Sequence, residues 1–275
     1  MPQFAANLSL LYTELPFLER FGAAAADGFK AVEFLFPYSV DATALRQQLH
    51  THGLQQALFN APPGDWDAGE RGLACLPDRQ TEFRAGIQQA LDYAEALACP
   101  RLHVMAGIAP TGLTAEQLND TYISNLRWAA DQAHAQGRQI CIEPINLRDM
   151  PGYFLNRQAQ ALALIEAIDA PNVRLQFDAY HCQISEGDVA RKLRLALDQG
   201  LLSHVQIAGA PDRHEPDEGE LRVEYLLTLL DELGYTGYVG CEYRPRADTR
   251  AGLGWLRPWL PGAAAAAAET EFVRD

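Results

Sequence analysis

The chain has 275 residues, is 48% hydrophobic and sets 22 Lys+Arg against 36 Asp+Glu, a formal charge of −14. That length buries one large core, either as a single α/β barrel or as two smaller domains. An acidic field of this size repels phosphate backbones, and no apolar run approaches the roughly 20 residues of a membrane span, so neither a nucleic-acid nor a membrane partner is expected.

The opening "MPQFAANLSL" has neither a basic stretch nor a long apolar one, so no secretory signal is expected, and the cytoplasm is the expected location. It also supplies the first strand, 4–10. A helix over 16–27 follows, with Pro16 in its first turn and Gly28 after its end. Strand 31–36 leads to helix 41–52, which has Asp41 at its start and stops at Gly53. Strand 56–60 opens a long loop, "GDWDAGERGLACLP", before helix 81–98. Strand 101–107 precedes helix 114–136, and strand 139–146 precedes helix 157–169. Strand 173–181 is followed by helix 188–199, strand 204–209 by helix 222–233, and strand 237–243 by a last short helix, 248–256.

Eight βα units in sequence imply a parallel sheet, and their combined length suits a single (β/α)₈ TIM barrel over residues 1–260. The rival, a doubly wound open sheet, usually carries a Gly-rich phosphate loop after its first strand, and "NLSLLYTEL" has none. The Ala-rich tail, 261–275, is low in complexity and is expected to fray or to be disordered. The five cysteines form no CxxC pair, which suits reduced thiols, with Cys141 and Cys241 as small buried hydrophobes.

A barrel of this kind places its chemistry at the C-terminal ends of its strands. Polar residues end the last four runs: Glu143 in "ICIEPIN", Asp178 in "VRLQFDAYH", Gln206 in "HVQIAG" and Glu242 in "YVGCEY". Neighbouring strands lie about 4.8 Å apart, so these side chains would converge. Taken singly, a strand-end acid often only caps a helix or pairs with an arginine, and an amide in a strand is often a satisfied hydrogen-bonding group. Three carboxylates pressed together without a cation, however, would repel one another. The all-oxygen set suits Mg²⁺ or Mn²⁺. Around the same rim, His181 is placed to reach a substrate oxygen, and Arg213, with Arg71 of the strand-three loop, to clamp a carboxylate. His214 shares the Arg213 loop, Asp149 is placed to order the strand-five loop, and His103 ends strand four. The bland readings are backbone-bonded or core histidines and surface ion pairs.

The stretches "FAANLSLLYTE", "AVEFLFPY", "FNAPPGDWDAGERGLACLP", "IEPIN", "FDAYH", "HVQIAGAPDRHEPDEGE" and "GCEYRP" resemble the hydroxypyruvate isomerase family, which includes the 2-oxo-tetronate isomerases, within the xylose isomerase-like barrels. The resemblance spans about residues 2–258. It implies a metal at Glu143, Asp178, Gln206 and Glu242, with the two glutamates as an acid–base pair. It also implies a small hydroxy-oxo acid as substrate and no nicotinamide or flavin. Related sugar epimerases have histidine where this chain has Gln206, and Asp217 stands where the family commonly has glycine. A ketose 3-epimerase on the same barrel is the alternative reading. An apurinic endonuclease would need a His-rich zinc cluster and a basic track, and a non-catalytic barrel would need neither metal nor turnover.

Overall fold

The computed structural model describes residues 1–260, and the tail over 261–275 lies outside the described residues. Eight parallel strands close on themselves in chain order: β1 (Gln3–Asn7), β2 (Ala31–Phe34), β3 (Gln55–Asn60), β4 (Arg101–His103), β5 (Gln139–Ile142), β6 (Val173–Asp178), β7 (Leu202–Ile207) and β8 (Tyr238–Cys241). β1 pairs with both β2 and β8, which shuts the barrel. Around it lie α1 (Arg20–Ala26), α2 (Ala42–His52), α3 (Gln80–Ala96), α4 (Ala115–Ala135), α5 (Gln158–Ile168), α6 (Ala179–Ser185), α7 (Val189–Asp198) and α8 (Val223–Glu232).

The helix starts follow from local chemistry. The Asp41 carboxylate accepts from the N–H groups of Thr43 and Ala44, and Thr114 and Gln117 bond each other's backbone in a capping box. Pro16 opens only a 3₁₀ turn, Phe17–Glu19, and α1 proper starts at Arg20. The expected closing helix over 248–256 is instead a 3₁₀ segment, Arg250–Trp259, with Gly252, Gly254 and Pro258 in it; glycine and proline both weaken an α-helical ladder.

Most expected strands prove shorter at their C-terminal ends. The difference that bears on the site is in β6. The strand expected through His181 ends at Asp178, whose carboxylate accepts from the Tyr180 N–H and starts α6. His181 therefore rises on a helical turn above the barrel mouth.

The main hydrophobic core fills the space between barrel and helices. A separate small cluster, Ala5, Ala31 and Ala57, lies on β1, β2 and β3. Alternate residues share a strand face, so Asn7 follows Ala5 and Glu33 follows Ala31 on that side. Asn7, Glu33, Gln176, His204 and Gln206 are all buried there, so the upper layer of the barrel is polar. No helix among the described residues is long and apolar enough to cross a membrane.

Candidate active site

The strand register brings the four singled-out positions to one end. Asp178 pairs with Gln206 and Gln206 with Gly240, two residues before Glu242, while Glu143 directly follows β5. A cavity of ≈ 110 Å³ opens here, lined by Glu143, Gln206 and Glu242 with His103, His181, Gln176, Arg213 and Arg244 on its polar side. Phe34, Leu58, Trp66, Met105 and Met150 form an apolar wall. A larger cavity of ≈ 590 Å³ lies at the opposite end, among Arg46, Gln55, Arg101 and Tyr238, and has no carboxylate in its lining.

The acids are buried and short of partners. Glu143 Oε1 and Asp178 Oδ2 accept no hydrogen bond among the described residues. Burial pushes the Glu143 carboxyl well above its ordinary value, and the Glu242 and Asp178 charges push it further. Burial raises Glu242 to about 8, opposed by the Arg213 guanidinium, whose Nη2 donates to Glu242 Oε2 at 2.8 Å. Asp178 rises to about 6, again by burial, opposed by Arg213 and by backbone N–H bonds. Raised carboxyls with unused oxygens are what such a cluster shows when it lacks a cation. A hard divalent ion would satisfy both the orphaned oxygens and the charge, so the donor set fits one.

The histidines divide by tautomer. The Asn146 amide oxygen accepts from the Asp149 N–H at 2.8 Å, so its NH₂ faces His181 Nδ1 at 2.6 Å. Nδ1 therefore accepts, and the ring proton sits on Nε2. That N–H lies 3.6 Å from Asp178 Oδ2 and 4.0 Å from Glu143 Oε1. Glu143, Asp178 and His181 present donor atoms all within 4.8 Å of one another, yet in this tautomer His181 offers a proton rather than a lone pair. Burial holds His181 neutral, well below its ordinary value, and depresses His103 to about 3. His103 Nε2 stands 3.6 Å from Glu143 Oε2 without a hydrogen bond.

The arginines do not share one role. Arg213 reaches Glu242, Asp178 at 3.6 Å and Asp149 at 3.9 Å, and lies over the Tyr180 ring at 5.0 Å. Its backbone is left-handed, φ 59°, a rare state for a long side chain that concentrates at functional positions. Arg71 is not brought to the cavity. It donates to the Trp66 and Glu70 carbonyls and lies 3.8 Å over the Trp66 ring, so Trp66 carries that loop's contact with the site. The loop itself is pinned where Gly72 bridges to Ala106; a Cβ at Gly72 would fall 2.3 Å from the Met105 carbonyl oxygen. His214 turns to the Arg244 carbonyl at 2.7 Å, and Asp149 accepts from the Tyr180 hydroxyl at 2.9 Å, which orders the β5 loop.

Several site residues escaped the sequence reading. Glu33, fully buried, accepts from Asn7 Nδ2 at 3.0 Å and Gln206 Nε2 at 2.8 Å and bonds His204 Nε2 at 2.6 Å. A carboxylate accepts only, so Glu33 fixes which end of the Gln206 amide faces it. The amide oxygen is left to accept from Gln176 at 2.7 Å. Glu33 had the same signal as Glu143, a lone acid in the apolar run "AVEFLF". Arg244 had none beyond its place two residues past Glu242.

The sequence profile of the Xylose isomerase-like TIM barrel family matches residues 21–259. A 2-oxo-tetronate isomerase of Cupriavidus necator is 58% identical over 94% of this chain and 99% of its own length. A hydroxypyruvate isomerase of Escherichia coli is 42% identical, over 94% of this chain and all of its own length (100%). Among solved structures, one named AP endonuclease, family 2, from Brucella melitensis aligns with TM-score 0.92 and 51% identity, covering 94% of this chain and 100% of that one.

Proposed function

The chain belongs to the Xylose isomerase-like TIM barrel family and is an isomerase, and from that premise we propose that it interconverts a short 2-oxo acid and its 3-oxo isomer. The substrate is 2-oxo-tetronate or its three-carbon counterpart, hydroxypyruvate. The observation that carries this reading is a pair of buried glutamates, directly after β5 and β8, that line one small cavity together with His181 and Arg213. Moving a carbonyl along a carbon chain needs one proton taken from the carbon bearing the hydroxyl and one given to the former carbonyl carbon. A further proton passes between the two oxygens.

Glu143 and Glu242 are the acid–base pair. Arg213 bonds Glu242 directly, and its charge opposes the rise of both carboxyls. Which of them starts the reaction depends on substrate direction. A positioned base of this sort contributes about 10²–10⁴ in rate. The Nε2–H of His181 donates to a substrate oxygen, and the unpartnered Arg213 Nε is a second donor. Trp66, Phe34 and Met105 close the apolar side and limit water.

Glu143, Asp178, Gln206 and Glu242 are the residues that would hold Mg²⁺ or Mn²⁺. Such an ion supplies Lewis-acid polarisation of the carbonyl and the adjacent hydroxyl. The reaction is internally balanced, so no redox cofactor enters.

The structure named as an endonuclease does not redirect this reading. The only cluster of three or more His, Cys, Asp or Glu among the described residues is Glu143, Asp178 and His181, with one histidine rather than many. The test is a side-by-side turnover assay of hydroxypyruvate, 2-oxo-tetronate and a neutral ketose, with and without Mg²⁺. Turnover of either acid is expected; turnover of the ketose alone would move the assignment to an epimerase.

A further inference from the structure

Three buried acids in a protein of formal charge −14 make the cavity a poor host for a substrate carboxylate unless a cation there is still uncompensated. Arg213 is not such a cation, because Glu242, Asp178 and Asp149 already surround it. Arg71 is spent on carbonyls and the Trp66 face. Arg246 pairs with Glu215 at 2.9 Å and with Glu218. Arg244 differs from all of these. It lines the cavity, and its guanidinium has no ion pair or hydrogen bond among the described residues.

Its place is fixed even though its side chain is free. The Arg244 N–H donates to the Arg213 carbonyl at 2.8 Å, and the Arg244 carbonyl accepts from His214 Nδ1 at 2.7 Å. The β7 and β8 loops are thereby laced together, with two guanidinium groups on adjacent backbone positions. One faces inward and compensates the acids. The other is exposed at the mouth, two residues beyond Glu242.

We infer that Arg244 is the receptor for the substrate carboxylate and the residue that selects an oxo acid over a neutral sugar, an inference that rests on the isomerase reading above. The planar fork donates to both carboxylate oxygens at the mouth. The substrate then enters with its reacting carbons inward, toward Glu143 and Glu242, and the rest of its chain against the Trp66 wall.

The test compares the parent, Arg244→Ala and Arg244→Lys, all with Mg²⁺. Kinetics with hydroxypyruvate and 2-oxo-tetronate should show KM raised about 10- to 100-fold in Arg244→Ala, with kcat changed far less. Arg244→Lys should fall between, since it keeps the charge and loses the fork. Free guanidinium ion should restore part of the lost affinity in Arg244→Ala, which a merely structural defect would not allow. A parallel calorimetric titration with glycerate, an unreactive hydroxy acid, reads binding without turnover and should show the same loss. Equal glycerate affinity in parent and Arg244→Ala, or a KM within about twofold of the parent, overturns the inference. A parent that binds glycerate through Arg244 but turns over neither acid rejects the isomerase reading instead.

Discussion

At the scale of single residues, the site is built by subtraction as much as by placement. Gly240 lacks a side chain where the Glu33 carboxylate sits; a Cβ there would lie 2.3 Å from Glu33 Oε2. Glu33 cannot swing away, because Asn7, His204 and Gln206 hold it. Gly240→Ala should therefore destabilise the fold by about 1–3 kcal/mol, read as a lower midpoint in chemical denaturation. It should also weaken Mg²⁺ binding by freeing the Gln206 amide; an unchanged midpoint with unchanged metal affinity would show that Glu33 is not pinned. This layer marks the limit of what the residues alone reveal. Glu143, Asp178 and Glu242 stand out because each interrupts an apolar run at its end. Glu33 interrupts one too, but in the first half of the barrel, and only the closed sheet brings β2 against the ends of β7 and β8. Arg71 and Arg244 are both rim arginines in the chain, and nothing local tells which folds back on its own loop.

At the scale of elements, the order of strands and helices is legible because period and turn residues agree, while the ends are less so. The aromatic and branched run around Phe177 reads as strand through His181, yet Asp178 is also a good helix N-cap, and in the fold the cap prevails. One carboxylate thus ends β6, starts α6 and turns its free oxygen into the site. The caps that lie outside the site carry only stability. Thr114 accepts from the Gln117 N–H at 3.2 Å, and Gln117 returns a bond to the Thr114 N–H at 2.8 Å. Thr114→Ala should cost about 1 kcal/mol in denaturant unfolding. Because Thr114 is exposed and does not line the cavity, kcat and KM should stay at parental values; a loss of activity at full folding would tie that helix to the site.

At the scale of the whole molecule, the buried acids couple folding to pH and, on the proposed reading, to metal. Glu242 rises to about 8 when folded, and Glu143 rises as well, so without metal the native state holds protons that the unfolded chain, with glutamates near about 4.3, has released. That stability is present at low pH and is lost as pH rises through the folded values. His103 and His181 act oppositely, but only below their unfolded value of about 6.5. Between about pH 6.5 and 8 the glutamates dominate, and the metal-free protein should lose about 1–2 kcal/mol. Saturating Mg²⁺ should flatten that slope, and Glu242→Gln should reduce it. A metal-free protein equally stable across the window would show that these carboxyls are ionised in the fold without a cation.

The central claim is that Glu143 and Glu242 move the proton between neighbouring carbons. Its most direct test is substrate hydrogen exchange in deuterated water, followed by NMR, with bound metal measured in the same samples. The parent protein should introduce deuterium at the carbon that gains or loses hydrogen during isomerisation. Glu143→Gln and Glu242→Gln, each confirmed to carry metal, should exchange at about one hundredth of the parental rate or less. Exchange at the parental rate in either metal-loaded variant would contradict the account, leaving that glutamate as a ligand and the proton to another group of the site.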